Sequence, residues 1–348
     1  MSLIATLAQE FRAQSPTFGS NEFRPMRAGC LDVFQKQTNG IGSFITDDLR
    51  QKAALSMGRD VKIPYINYKD VTIRSNRPLV IADDENTSGF YTVTWTTFAY
   101  GFTMYPRQHF TNDVDYQQDF NGKMNAMLVK MTSAIEGSAR TAIDAAKTQV
   151  IAEVTGGHTF AANVVSETAA NLKESYIQAD LEPMMNSNDF DGMQMDILGN
   201  QGFLAVLRRM EGFSDFNTEN KTLQFMGKDY HFSNAIANAA DKAATGYAIA
   251  PGTLGMLTRV EPDSLFRTTL PDGHEWGTIV MPGLGIEFGT YGYTKAVDVS
   301  GNANVSSNLT RTVQQAFDFA VDIAWVTKWN SDRATIPSPV IGFDLATA

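Results

Sequence analysis

The chain has 348 residues, and its 28 basic and 38 acidic side chains leave a formal net charge of −10. That excess of acid argues against tight binding along a nucleic-acid backbone, which needs a basic surface. A single cysteine, Cys30, excludes an intramolecular disulfide and points to a reducing compartment, and no window approaches the ~18 uncharged apolar residues of a membrane helix.

Residues 1–57 read as an arm. Leu3, Ile4, Leu7 and Phe11 put one apolar face on a short helix. The run SPTFGSNEFRPMRAGC is then broken by Pro16, Gly19, Pro25 and Gly29. A second short helix is predicted from Thr46, an N-cap followed by Asp47 and Asp48, to about Met57. So little apolar content cannot bury itself, so the arm must lie on the body of the chain or on another copy. The opening MSLIATLAQEFRAQ lacks the basic start and long apolar run of a secretory signal.

Residues 58–108 change character. VKIPYI, VTIRS and GFYTVTWTTFAYGFTMYP are rich in strand formers. Tyr91, Val93, Trp95 and Thr97 alternate with Thr92, Thr94 and Thr96. The polar stretch SNRPLVIADDENTSG between the runs makes the whole an extended β-hairpin with an acidic tip. A two-stranded hairpin is marginal alone and needs a surface to lie on.

The longest periodic stretch follows. Tyr116, Phe120, Met124, Met127, Leu128, Met131, Ile135, Ala139, Ala142, Ile143, Ala146 and Val150 fall at steps of three and four, one stripe along a helix. Thr111, Asn112, Asp113 and Asp115 suit its start. From Tyr116 to Ala152 it would span roughly 55 Å. Gly122 and Gly137 each cost such a helix up to about 1 kcal/mol, so packing along its length must hold it. We read it as a spine.

Ser166 is positioned to cap a helix carrying Ala169, Leu172, Tyr176 and Ile177. GMQMDIL reads as a strand, and Asn200 caps a helix with Phe203, Leu204, Val206, Leu207 and Met210. TLQFMGKDYHFS reads as a hairpin around Gly227 and TGYAIAP as a strand. Pro251 would open a short helix, GTLGMLTR. Strands are predicted at WGTIVM, LGIEFGTYGYT and KAVDV, so that 185–300 forms a mixed α/β lobe. A long strand from Thr312 to Trp329 alternates Phe317, Phe319, Val321, Ile323 and Trp325 with Asp318, Ala320, Asp322 and Ala324. PVIGF reads as a short edge strand.

No linear motif for chemistry stands out. His109, His158, His231 and His274 lie apart without ligand spacing, and there is no H-E-x-x-H, G-x-S-x-G or G-x-x-x-x-G-K. Gly283, Gly285 and Gly289 approach a dinucleotide fingerprint, but Phe288 stands in place of the third glycine and strand residues follow. They read as strand bends. Asp83, Asp84 and Glu85 on the hairpin tip could hold a cation or simply face solvent, and Arg208, Arg209 and Arg259 could form a basic face. Cys30 reads as a buried small hydrophobe. No catalytic, cofactor-binding or metal residue is assigned, no cofactor is implied, and the chain is not expected to be an enzyme.

The order of arm, long hairpin, spine helix, α/β lobe and closing strand resembles the major capsid protein of tailed double-stranded DNA bacteriophages, the Hong Kong 97-type fold, over about residues 40–345. GRDVKIPYI leading to TVTWTTFAYGFTMYP resembles the family's extended loop, and NGKMNAMLVKM the start of its spine helix. MQMDILGNQGFLAVLRRM and GYAIAPGTLGMLTR resemble steps of its axial domain, and VQQAFDFAVDIAWVTKW its closing strand. The resemblance implies an α+β fold with an N-terminal arm at 1–57, an extended loop at 58–108, and a peripheral domain with the spine helix at 109–184. An axial domain at 185–300 and a peripheral closing strand with the C-terminus at 301–348 complete it.

The resemblance also implies a self-assembling subunit that forms pentamers and hexamers of an icosahedral head. Double-stranded DNA would be packaged inside without sequence specificity. Portal, scaffolding and decoration proteins are the implied partners, with no membrane. The location would be the virion, after assembly in the host bacterial cytoplasm. Lys62 and Lys69 lie near the place of a loop cross-link found in some members, but nothing around them supports that chemistry. About 57 residues precede the loop, so a long cleaved scaffolding segment is expected to be absent or already removed. The alternatives are an encapsulin-like nanocompartment, another phage structural part such as a tail or decoration protein, and an enzyme with an unmarked site.

Overall fold

The computed structural model describes residues 6–7, 10–11, 28–40, 43–56, 58–66, 75–76, 88–106, 116–147, 151, 158–166, 177–209, 214–217, 222–225, 228–238, 242–261, 270, 273–298, 311–327 and 339–346. The stripe read from the sequence forms a helix, α3 (Tyr116–Ala146), 31 residues and about 46 Å long. It stops at Ala146 rather than Ala152. Lys147 leaves as a turn, with its ammonium returning to Asp144 at 2.8 Å. Ile151, no longer helical, is buried in the core of the larger sheet.

Side-chain size sorts what this helix touches. Its first half presents Phe120, Met124, Met127, Met131 and Ile135 to one sheet, and its second half presents the smaller Ala139, Ile143 and Ala146 to another. Leu128 stands only partly buried at the margin of the stripe.

The sheet under the first half has five strands: β3 (Thr96–Met104), β11 (Leu254–Arg259), β12 (His274–Val280), β13 (Glu287–Asp298) and β14 (Arg311–Thr327). β14 is the long closing strand that the alternation predicts, and Phe317, Phe319, Val321 and Ile323 turn toward α3. All pairings are antiparallel. At Asp322 and Ile323 the strand is paired on both sides, with β11 and with β3.

The larger sheet has eight strands in the order β4-β5-β15-β10-β6-β9-β8-β7: β4 (Thr159–Ala161), β5 (Val164–Ser166), β6 (Asp196–Gly199), β7 (Ser214–Asn217), β8 (Thr222–Phe225), β9 (Lys228–Phe232), β10 (Lys242–Ile249) and β15 (Val340–Ala346). Helices α4 (Ile177–Ser187) and α5 (Gln201–Arg209) belong to the same half of the chain. Asn200 caps α5 as expected, its side-chain oxygen accepting from Phe203 N at 3.0 Å. Thr46 caps α2 (Asp47–Leu55) in the same way, accepting from Leu49 N at 3.3 Å.

Several expectations are corrected. GTLGMLTR gives a strand from Leu254, because Gly252 turns the chain with φ of 72° and Leu254–Arg259 then pairs with β14, Leu254 and Leu257 entering cores on opposite faces. LGIEFGTYGYT and KAVDV are one strand, β13. TVTWTTFAYGFTM divides into β2 (Ser88–Thr92) and β3, because Phe98, Phe102 and Met104 are drawn onto the α3 core. Ser166 ends β5, and Ile177 lies in α4, while the residues between them lie outside the described set. Ala162 and Asn163, both at positive φ, turn β4 into β5. PVIGF contributes an interior strand, held by β10 on one side and β5 on the other, with Phe343 fully buried.

Sheet pairing also cuts across the lobe read at 185–300. Its strands up to Ile249 are in the eight-stranded sheet, and those from Leu254 are in the five-stranded one. Ala169, Leu172, Tyr176, Met210, Gly227 and residues 107–115 lie outside the described set. The fold is α+β, with the arm, hairpin, spine helix and closing strand that the resemblance implies.

Candidate functional site: the clamped arm and the projecting hairpin

One helix went unread in the sequence. α1 (Gly29–Asn39) inserts between the two sheets. Cys30, Val33 and Phe34 join the core shared with Ile143, Leu198 and Tyr247, while Leu31 joins the α3 core. Its N-cap position, Ala28, offers no side-chain acceptor. Glu136, fully buried on α3, supplies the cap from 106 residues away. Its Oε1 accepts from Cys30 N at 2.8 Å and its Oε2 from Leu31 N at 3.0 Å. A carboxylate at a helix N-terminus satisfies orphan donors and meets the positive end of the dipole. Gly29 is required here, since a Cβ would stand 2.4 Å from Phe232 O.

At its other end α1 stitches both sheets. Gln37 accepts from Leu254 N at 3.0 Å and donates to Ala250 O at 3.2 Å, and Thr38 Oγ1 accepts from Met256 N at 2.8 Å. Burial and the neighbouring Glu136 push the Cys30 thiol well above its ordinary range, which makes it an inert core group. The signal for α1 was present as Cys30, Val33, Phe34 and Gln37 at helical spacing. It was obscured because part of the buried face is polar.

The hairpin is the second feature. β1 (Lys62–Ile66) pairs with β2 in antiparallel register, Lys62 opposite Thr92, as a two-stranded sheet joined to neither of the others. Among its described residues the base is the anchored part. Val61, Ile63 and Val93 are buried with Ile45, Leu49, Ala53, Leu257 and Val326. Farther out Phe90 is 69% exposed.

The root is held by charge. Asp322 on β14 accepts from Arg259 Nη1 at 2.7 Å, from Arg59 Nη2 at 3.1 Å and from Thr97 Oγ1 at 2.6 Å. Arg259 Nε donates to Ser56 O at 2.7 Å. Arg59 itself sits at φ of 57°, and its carbonyl accepts from Val61 N and from the Trp95 indole at 3.0 Å. Arm, hairpin, β3, β11 and β14 thus meet at one carboxylate.

The residues singled out from sequence are scattered. Arg259 is buried in this ion pair and belongs to no surface basic face, and the side chains of Arg208 and Arg209 lie outside the described residues, as do Asp83, Asp84, Glu85, Lys69 and His109. Lys62 is exposed on the hairpin. His158 meets Asp180 at 2.8 Å, and His274 meets the Tyr291 hydroxyl. Gly283 and Gly285, at φ of 79° and 64°, turn β12 into β13, and Gly289 lies in β13 opposite Ala320. A cavity of about 500 Å³ between α1, α2 and the sheet is lined by Gln35, Arg50, Met256, Thr278 and Glu287. Among the described residues no group of three or more His, Cys, Asp or Glu is placed to hold a metal ion, and no helix is long and apolar enough to cross a membrane.

His231 is buried beside Asp196, with Nε2 3.9 Å from Oδ1, in a cluster with Lys36 and Asp229. Burial lowers its pKa below the ordinary 6.5. Asp196 and Asp229 oppose the shift, and Lys36 adds to it. The fold therefore favours the neutral ring. Its contribution is complete above about pH 6.5 and is lost as pH falls below it. Subunit stability is expected to fall as pH drops from that point toward the lower folded-state pKa, by at most about 1.4 kcal/mol per pH unit. His231→Gln should flatten this slope in urea titrations at stepped pH.

No family model matches the chain, and no curated protein matches its sequence. Solved structures do. A chain from Mycobacterium phage Che8 is 9% identical, with 86% of this chain and 89% of that one covered and a TM-score of 0.47. One from Mycobacterium phage Cain is 12% identical, with 97% and 98% covered and a TM-score of 0.45. One from the bacteriophage PhiM1 mature capsid is 13% identical, with 82% and 81% covered and a TM-score of 0.42. The chain is similar to phage chains.

Proposed function

We propose that the chain is the major capsid protein of a tailed bacteriophage, a subunit that assembles with copies of itself into pentamers and hexamers of an icosahedral head. The observation that carries this reading is the hairpin. Its root is locked by Asp322, yet its strands join no other sheet and leave Phe90 exposed. A rigidly aimed arm with an apolar side chain in solvent is costly for a lone subunit and useful to one that buries it against a neighbour. The spine helix, spanning two sheets, gives a stiff body on which to mount it. The net charge of −10 suits a vessel that encloses double-stranded DNA without gripping it. In this role the chain has no catalytic function, its partners are its own copies with portal, scaffolding and decoration proteins, and its location is the virion.

Negative-stain electron microscopy of the expressed chain tests this directly, combined with hydrogen exchange on the hairpin. Closed shells, or rings of five and six, with β1 and β2 amides protected only in the assembly are expected. A monomer whose β1 and β2 amides beyond Ile63 are already protected would overturn the reading.

A further inference from the structure

The five-stranded sheet has a second face, turned away from α3. Ala324 and Val326 on that face are covered by the arm and the base of the hairpin. Farther along β14, around Asp318, the face carries a groove of about 330 Å³ lined by Gly101, Thr103, Tyr291, Tyr293, Ala316 and Asp318.

Strand register builds this groove. Asp318 lies opposite Gly101 on one side and Tyr291 on the other, and Tyr291 lies opposite Trp276. Trp276 and Tyr291 rings are 4.5 Å apart, Tyr291 and Tyr293 are 5.9 Å apart, and His274 stacks on Tyr293 at 5.5 Å. The hydrogen bond between His274 Nδ1 and the Tyr291 hydroxyl holds that ring in place. On the other side glycine leaves room: a Cβ at Gly101 would stand 3.1 Å from Asp318 Oδ1.

Among the described residues the carboxylate is uncompensated. Desolvation raises the Asp318 pKa, a backbone hydrogen bond from Phe319 opposes the shift, and among the described residues no cation offsets it. A half-desolvated carboxylate beside ring faces attracts a cation that can also stack. Tyr293 already draws Lys295 to 5.4 Å from its ring centre. Arginine fits such a site better than lysine, because its planar fork pairs with a carboxylate while lying flat on an aromatic face. In a chain with ten more acidic than basic residues, a bare carboxylate would repel an approaching copy unless that copy met it with a cation.

We propose that this groove receives an arginine side chain from a second copy of the chain, its guanidinium paired with Asp318 and stacked on Tyr291 or Tyr293. The proposal rests on the shell reading for the identity of the occupant. It is tested in two arms. In the first, N-acetylarginine amide is titrated into the unassembled chain and tryptophan fluorescence is followed, with N-acetylglutamine amide as the control. An arginine-specific change is expected that disappears in Trp276→Phe and weakens about threefold in Asp318→Asn. No arginine-specific change overturns the proposal.

In the second arm, assembly is compared for wild type, Asp318→Asn and Asp318→Arg by sedimentation. Among the described residues Asp318 pairs with no cation, so both variants should melt as wild type does. Assembly should fall about tenfold in Asp318→Asn, and further in Asp318→Arg. Wild-type assembly from both variants overturns the proposal and leaves the shell reading standing. A wild-type chain that binds the amide but never self-associates overturns both the second-copy occupant and the shell.

Discussion

Replacing Glu136 with alanine is expected to cost the isolated subunit about 3–5 kcal/mol, read as a lower urea midpoint at unchanged slope. The reason lies in what the carboxylate does. It is fully buried, and both its oxygens are engaged by the first amides of α1 at 2.8 and 3.0 Å. Hydrogen bonds to a charged acceptor contribute about 1.5–3 kcal/mol each. Their loss leaves two donors buried, and Ala28 has no side-chain acceptor to replace the cap. Glu136→Gln keeps one acceptor and should lose roughly half as much. Because α1 carries core residues of both sheets, the alanine variant should loosen them together. Exchange protection in β11 and in β10 should fall in parallel. A loss confined to α1, or below about 1 kcal/mol, would mean that the helix is held by its apolar face alone.

Asp322→Ala should be comparably severe, at about 3–5 kcal/mol, because it strands Arg259, whose side chain is 3% exposed. Arg59→Ala should differ in kind. Its side chain is 49% exposed, so screening limits its worth to the subunit to about 1 kcal/mol or less. It nevertheless links the hairpin root to Asp322. The expected signature is near-normal stability with faster exchange at Val61 and Ile63 and a shifted Trp95 emission. Pairing Asp322→Leu with Arg259→Met removes both buried charges and should recover most of the loss, since the desolvation cost disappears with them. If Arg59→Ala is as destabilising as Asp322→Ala, root and body are one cooperative unit and the hairpin is not separately mounted. If the double variant is no better than Asp322→Ala, the node is valued for its geometry and not for its charge balance.

Elements whose buried face is apolar were legible in the sequence. α3 and β14 show this best: Phe120 to Ile143 repeats at helical steps, Phe317 to Ile323 alternates, and both are long enough for period to outweigh local ambiguity. The caps at Thr46 and Asn200 were legible because a short polar side chain next to a periodic run has a specific job. Reading failed at two kinds of place. GTLGMLTR reads as a helix because Pro251 is compatible with a first helical turn as well as with a β-turn, and eight residues are too few for period to arbitrate. α1 was passed over because Gln37 and Thr38 are buried to bond the backbones of Ala250, Leu254 and Met256, partners more than 200 residues away.

The candidate site follows the same division. The existence of a hairpin needing support was readable from strand propensity and a polar tip. Its root was not. Asp322 was read only as an outward residue of an alternating strand, and Arg259 as part of a surface face. The Asp318 groove likewise needs four strands to be registered before Gly101, Tyr291 and Trp276 become neighbours.

By itself the sequence determined the class of parts: an acidic chain without disulfides or membrane helices, a spine helix, a hairpin and a long closing strand. Periodicity and composition are local properties of a chain, and those parts follow from them. Only the tertiary structure decided how the parts divide between two sheets, that Val340–Ala346 is interior, that Glu136 caps a helix from 106 residues away, and that the hairpin root is held by Asp322. The physical reason is that a buried polar group is specified by its partner. The partner comes from a distant segment, brought near when loops close and sheets register, and no window of sequence contains both.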